Sequence, residues 1–284
     1  MLVVRVRYRW IAAACAVILL LSCLPFSRFM ASGAEEGVEL PVVMYHSILN
    51  DPALAGDYVL SPQQLECDLR YIKERGYTPV LMEDLISYVN IPEAKLPPKP
   101  ILITFDDGYY NNYLYAYPLM QKYQMKCVMS VVVRESEEYE EGSHQSPNYS
   151  PLSFSQMREM EGSGLVEIQN HSYDMHTYTA ARAGAAKAPG ESEEHYRAVL
   201  TEDTLRAQRV LKEQAGGVPT TYTYPFGKVS EQSVEILDEL GFEATLSCEE
   251  GVNRIVKGGT LVRLKRYNRP TGKDSAAFFS KLLT

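Results

Sequence analysis

The feature that most constrains this chain is an alternation that begins at residue 38: short β-rich runs separated by segments with helical punctuation. The runs fall at 38–45, 101–105, 127–133, 166–169, 221–224, 242–246 and 261–267. Several are almost continuously apolar, the pattern of strands covered on both faces. Between them, Ser61-Pro62 reads as a cap followed by proline at the first helical position, with Leu65, Leu69 and Ile72 on one face and Gly76 as the stop. Ser153 with Gln156 resembles a capping box closed by Gly162, residues 230–240 closed by Gly241 repeat the design, and 191–215 form a longer amphipathic stretch. Strand-helix alternation of this kind predicts an α/β protein with a parallel sheet, either closed into a barrel or doubly wound. No internal repeat or Pro/Ser-rich linker divides it. Residues 135–149, acidic and then rich in Gly, Pro and Ser, and the Ala/Gly-rich 179–190 are expected to be solvated loops.

Residues 1–34 stand apart. Arg5, Arg7 and Arg9 precede an unbroken apolar run over 10–21, short of the about 18 apolar residues of a membrane span. Ser32-Gly33-Ala34 offers small residues for cleavage, so the segment reads as a secretory signal. An uncleaved membrane anchor, or a lipoprotein box at Leu20-Leu21-Ser22-Cys23, are the alternatives. Each places residues 35–284 outside the cytoplasmic membrane, with membrane contact only through this segment if it is retained. The chain has 28 Lys+Arg against 36 Asp+Glu; four of the arginines and no acid lie in the first 34 residues, so the balance beyond them is −8 less 4, or −12. That acidity argues against nucleic acid or anionic lipid as the main partner. Of five cysteines, Cys15 and Cys23 fall in the leader. Cys67, Cys127 and Cys248 are odd in number and widely spaced, which fits neither a disulfide framework nor a zinc ribbon and predicts buried small hydrophobes.

In parallel α/β folds, functional groups gather beyond the C-terminal ends of the strands. There the sequence puts His46, then Asp106-Asp107-Gly108, then Asn170-His171-Ser172 with His176, then Pro225-Phe226-Gly227. Alone, Asp106-Asp107 reads as a turn. With a cation present, strand alternation sends the two carboxylates to opposite sides, one to ligate and one to face a reacting water. His171 and His176 are five apart, about 140° around a helix, so a shared metal requires Ser172-Tyr173-Asp174-Met175 to form an irregular turn. Two histidines and a carboxylate make a common catalytic zinc set.

These residues carry a resemblance. Thr104-Phe105-Asp106-Asp107-Gly108 resembles the first motif of the polysaccharide deacetylases, the NodB-homology domain of carbohydrate esterase family four; His171-Ser172 with His176 resembles the second, and Tyr224-Pro225-Phe226-Gly227 the third. The resemblance spans about residues 38–270. It implies a distorted (β/α) barrel of about seven parallel strands, one catalytic domain over 35–284, and a metal, usually zinc, on Asp107, His171 and His176. It further implies Asp106 as general base and the Phe226 N–H as an oxyanion donor. The departures are specific. Many members space the histidines by four, and many carry an arginine before the third motif, where this chain reads Thr223-Tyr224-Pro225. Many take a general acid from a C-terminal Leu-His; here Leu264-Lys265-Arg266-Tyr267-Asn268 holds no histidine, and the sole Trp is Trp10. One branch, similar to the secreted poly-β-1,6-N-acetylglucosamine deacetylases, has the wider spacing and draws its acid from an N-terminal Tyr-His, matched by Met44-Tyr45-His46.

The resemblance therefore implies hydrolysis of N-acetyl groups on an N-acetylated polysaccharide, with acetate released and His46 as acid. Peptidoglycan, chitin oligomers or O-acetylated xylan are alternative substrates, and a sugar-binding barrel without catalysis is the alternative of another class. A metallopeptidase is disfavoured because no HExxH motif is present. Tyr113, Tyr115 and Tyr117 are expected to pack a helix behind the Asp pair, while Tyr109 and Tyr110, nearer the rim, present ring faces and hydroxyls to sugar. Tyr224 and Asn268 are further substrate candidates, Arg266 and Asn268 are candidates for orienting groups in the site, and His144 and His195 are placed at the surface.

Overall fold

The computed structural model describes residues 37–139 and 144–283. The predicted leader, with Trp10, Cys15 and Cys23, lies outside the described residues.

Proline has no N–H to give a ladder, and Pro41 splits the first predicted strand into β1 (Val38–Leu40) and β2 (Val42–Tyr45), which belong to different sheets. There follow β3 (Ser47–Ile48), β4 (Val59–Leu60), α1 (Pro62–Glu74), β5 (Thr78–Val80), α2 (Met82–Asn90) and β6 (Pro100–Phe105). A π-helical turn, Asn112–Ala116, runs into α3 (Tyr117–Tyr123), then β7 (Cys127–Val131), α4 (Val133–Glu138), α5 (Phe154–Gly162) and β8 (Val166–Asn170). The chain ends with α6 (Glu193–Val210), β9 (Thr221–Thr223), α7 (Glu231–Glu239), β10 (Ala244–Leu246), β11 (Asn253–Ile255), β12 (Leu261–Leu264), β13 (Tyr267–Asn268) and α8 (Ser275–Phe279). The predicted caps are present: Ser61 Oγ accepts from the Gln64 N–H, and Ser153 and Gln156 close a capping box.

Eight strands form a parallel path in the order β12-β10-β9-β8-β7-β6-β2-β13, and β5 pairs with the first half of β6. The two end strands are consecutive in the chain, joined only by Lys265 and Arg266. The sheet is a distorted (β/α) barrel with a covalent seam. The path has eight strands rather than about seven because the predicted run 261–267 is two strands, broken where Arg266 turns its side chain fully inside.

Inward positions recur every second residue, and they change character along the strands. Val42, Leu102, Val128, Ala244, Leu246 and Leu264 pack with Met82, Leu85, Tyr88 and Val89 of α2, which forms an apolar floor. Higher up, Thr104 follows Leu102, Ser130 follows Val128, and Gln169, Thr221 and Thr223 join them, all buried. Ser130 Oγ lies 2.7 Å from Thr223 Oγ1, and the Thr221 N–H donates to Gln169 Oε1 at 2.8 Å. The outward set, including Ile101, Ile103, Phe105, Met129 and Val131, is buried under α1, α3 and α5. Each such side chain contributes about 1.5–3 kcal/mol when fully buried. The result is a molecule sealed at one end and polar at the other.

Some expectations are corrected. Residues 133–138 are helical, so the predicted loop over 135–149 starts inside α4. Residues 179–190 are a loop exposed at 179–181 and 189–190, as expected, but packed at its middle: Ala185 is fully buried, its carbonyl accepts from Tyr196 Oη at 2.6 Å, and Arg182 donates to the Ala186 carbonyl at 3.0 Å. Its small residues let the backbone lie against the third motif. Gly184, at φ +55°, is so close that a Cβ there would meet the Pro225 carbonyl oxygen at 2.4 Å. Of the three described cysteines only Cys127 is buried; Cys67 and Cys248 are exposed.

Candidate metal centre and active site

Asp107, His171 and His176 converge at the polar mouth. One ligand-capable atom from each lies within 4.8 Å of the others. Asp107 Oδ1 is 3.2 Å from His176 Nε2 and 3.5 Å from His171 Nε2, and it is buried with no hydrogen bond to satisfy it. A buried, unpaired carboxylate oxygen facing two imidazole nitrogens is the arrangement a divalent cation completes. His171 Nδ1 lies 2.8 Å from the Thr223 carbonyl. The carbonyl can only accept, so that nitrogen carries the proton and Nε2 keeps its lone pair for the centre. Burial pushes the Asp107 carboxyl up, but the two imidazoles outweigh it and hold it well below the usual range. The residues present fit a zinc-type site.

The wide histidine spacing is resolved by an irregular turn gripped from outside. Ser172 sits at φ +75°. Its N–H donates to Asn170 Oδ1 at 2.7 Å, and its Oγ accepts from the Met175 N–H at 3.1 Å. Asp203, on α6, accepts from the N–H groups of Tyr173 and Asp174 at 2.9 and 2.7 Å. Arg134 pairs with Asp174 at 2.8 Å, and the Arg206 guanidinium lies 3.8 Å from the Tyr173 ring centroid. Four residues that could not place both imidazoles together as a helix do so as this clamped loop. Asp203 has no motif to announce it. Its only sequence signal is an acid on the inner side of the amphipathic 191–215 stretch.

Asp106 occupies the inward position after Thr104 and meets Arg266. The guanidinium donates to both carboxylate oxygens, at 2.7 and 2.8 Å, and also to the Ser247 carbonyl and Thr104 Oγ1. Burial raises the Asp106 carboxyl, and Arg266 brings it below its ordinary value. The arginine that meets the first-motif carboxylate therefore comes from the seam and not from the third motif. His46, the inward position after Met44, stands among Asp106, Asp107, Arg266 and His171; burial lowers its pKa, and the two carboxylates only partly restore it. Its Nδ1 is buried and unpaired. The divergence of the adjacent carboxylates does not come from strand alternation alone, since Asp107 takes a left-handed φ of +71°.

The remaining candidates separate. Phe226 sits in the third-motif turn at φ +55°, with its ring 4.4 Å from that of His176. Among five described non-glycine residues with positive φ, Asp107, Ser172 and Phe226 fall one in each motif, and strained backbone of this kind clusters at functional sites. Tyr109 interacts with Asp107, and burial followed by that carboxylate raises its phenol. Tyr110 instead heads a stacked ladder with Tyr113 and Tyr117, at 6.3 and 5.9 Å. Tyr224 is corrected: it is fully buried beside Tyr196, Tyr222 and Ile236, because the strand turns it outward under α6 and α7. Asn268 lies in register with the inward Met44; its Nδ2 donates to the Asp57 carbonyl at 2.8 Å, while its Oδ1 is buried and unpaired. Cys248, expected to be an inert core thiol, lies 3.8 Å from the Arg266 guanidinium at the inward position after Ala244 and Leu246. His195 is exposed and bonded to Glu191, and His144 is exposed.

Comparison with known proteins agrees with this geometry. The polysaccharide deacetylase family description matches residues 93–245. The poly-beta-1,6-N-acetyl-D-glucosamine N-deacetylase of Escherichia coli (strain K12) is 23% identical over 257 residues, 82% of this chain but only 37% of that protein. The structure of IcaB from Ammonifex degensii superposes with a TM-score of 0.68 at 28% identity, covering 83% of this chain and 94% of the other. A de-N-acetylase from Aggregatibacter actinomycetemcomitans shares the fold at a TM-score of 0.73 and 24% identity, over 83% and 96% of the two chains. By motif, barrel and family match, this chain belongs to the polysaccharide deacetylase family, hydrolases that remove N-acetyl groups.

Proposed function

We propose that this protein hydrolyses the acetamide of N-acetylglucosamine units in a cell-surface or extracellular polysaccharide of the poly-β-1,6-linked type, releasing acetate, and that it does so with a divalent metal, zinc by its donor set. The observation that carries this is the convergence of Asp107, His171 and His176 beside Asp106, whose ionised form Arg266 secures. The names of the Escherichia coli and Ammonifex relatives support the choice of polymer. The basic and apolar pattern of residues 1–34 supports an exported location, and the acidic chain supports a neutral glycan over nucleic acid.

Asp107, His171 and His176 would hold the metal, which supplies an electrophile for the acetamide oxygen and lowers the pKa of water at the site. Asp106, kept ionised, accepts a proton from water as it attacks the carbonyl carbon. The Phe226 N–H donates to the oxygen on which charge collects. An amine anion is a poor leaving group, so nitrogen must gain a proton as the C–N bond breaks. His46, as the imidazolium, gives that proton. The products are acetate and a free amino sugar.

The test is metal analysis of the full chain coupled to acetate release from β-1,6-linked N-acetylglucosamine oligomers. Asp106→Asn is expected to retain metal and lose turnover, and His46→Ala to lose about 100-fold or more. Full activity in either variant overturns its role. Preferential acetate release from peptidoglycan, chitin oligomers or acetylated xylan moves the reaction to that polymer.

A further inference from the structure

Two exposed aromatic walls stand on either side of the candidate metal ligands. Around the barrel, β2 and β9 are separated by β6, β7 and β8 in one direction and by β13, β12 and β10 in the other, so they face each other across the mouth. On the β2 side, Tyr58 is 61% exposed and stands edge-on to His46, with ring centroids 4.8 Å apart. On the β9 side, Phe226 is 40% exposed against His176, and Tyr178, 65% exposed, stands edge-on to Phe226 at 5.5 Å.

Neither wall is a loose loop. The Ser47 N–H donates to the Tyr58 carbonyl at 3.0 Å and Asn268 Nδ2 to the Asp57 carbonyl at 2.8 Å. Asn111, buried directly behind the first motif, accepts from the Ile48 N–H at 2.9 Å and donates to Ser47 Oγ. Opposite, the Thr179 N–H donates to the Arg182 carbonyl at 2.8 Å, the Gly184 N–H to the Thr177 carbonyl at 2.8 Å, and Lys228 Nζ lies 5.8 Å from the Tyr178 ring centroid. Single exposed aromatics are ordinary. Two sets on pinned loops, each in ring contact with a histidine of the site and placed across it, are not explained by packing, since Tyr58 and Tyr178 are more than half exposed and Phe226 is 40% exposed.

We propose that Tyr58 and the Phe226–Tyr178 pair are sugar-stacking subsites on opposite sides of the reacting residue, so that the protein acts on an internal unit of a chain rather than on a free sugar or a chain end. This rests on the deacetylase assignment above. Flat amphipathic rings with a hydroxyl at the edge suit the apolar faces and hydroxyl-lined edges of neutral pyranose units. Their fixed loops lower the ordering cost of binding a flexible β-1,6-linked chain.

Calorimetric binding and initial-rate kinetics of the full chain on β-1,6-linked N-acetylglucosamine oligomers of one to six units test this. The wild type is expected to gain affinity steeply as units are added. Tyr58→Ala and Tyr178→Ala should each weaken hexamer binding about tenfold and raise KM more than they lower kcat, with losses that grow with oligomer length. Tyr58→Phe and Tyr178→Phe, which keep the stacking face, should restore most of the affinity. Both positions are largely exposed, so truncation does not threaten folding. Hexamer affinity unchanged in both alanine variants, or wild-type affinity independent of length, overturns the proposal. A wild type that binds the hexamer in this length-dependent way but releases no acetate supports the subsites and sinks the deacetylase assignment instead.

Discussion

Asp106 and Asp107 are neighbours in the chain with separate electrostatic surroundings. Asp106 meets a guanidinium through two short hydrogen bonds, whereas Asp107 keeps one buried oxygen without any. Removing one member of a buried charge pair costs about 3–5 kcal/mol because the other charge is left unpaired, so a change at Asp106 or Arg266 is felt by the fold as well as by the chemistry. Asp203 is a subtler case, because it touches no candidate ligand. It accepts the two backbone N–H groups that hold the His171–His176 turn, in a setting whose burial raises its pKa to about 6. Asparagine has one acceptor oxygen where aspartate has two. Asp203→Asn should therefore weaken metal retention about 10–100-fold, measured by competition with a chromogenic chelator, while the melting temperature of the metal-free protein changes little. Equal retention in variant and wild type would show the turn to be self-supporting.

At the scale of elements, the loop over 179–190 couples packing to chemistry through one glycine. Gly184→Ala adds a methyl group that would lie 2.4 Å from the Pro225 oxygen at a φ of +55°. The expected cost is about 1–3 kcal/mol, and the third-motif turn should shift with it, so kcat/KM and melting temperature should fall together. A variant that melts normally and turns over normally would show that the contact yields. The same element marks the limit of what sequence discloses. His46, Asp106 and His171 are readable because an inward period of two carries 42-44-46, 102-104-106 and 167-169-171 to one rim. Counting 244-246-248 reaches Cys248 by the same rule. Strands β3 and β4 are too short for any period, and β5 contains Pro79. Tyr58 and Asp203 belong to no motif, and their roles depend on contacts between segments distant in sequence, which spacing cannot reveal. Tyr224 misled because a motif residue beside the site still obeys the strand's alternation and faces the helices.

At the scale of the whole molecule, stability carries a pH dependence set at the floor. Glu167, near the floor, accepts from the Met82 N–H at the start of α2 at 2.7 Å, and burial raises its pKa from 4.5 to about 7. The folded state then binds this proton more tightly than the unfolded chain. Stability from this group is complete below about pH 4.5, declines as pH rises towards 7 and is flat above, a change on the order of 3 kcal/mol. Glu167→Gln, which keeps the acceptor and removes the charge, should gain melting temperature over the wild type at pH 8 and little at pH 5; a constant difference would place the titration elsewhere. The seam has a further consequence. Lys265 and Arg266 join the two end strands, and Arg266 also holds the charge of Asp106. Closure and reactivity thus share one dipeptide, so a premature stop ahead of it would not leave an idle but intact shell. The architecture offers no neutral route by which this barrel could lose its chemistry from the C-terminal end and persist as a mere carrier.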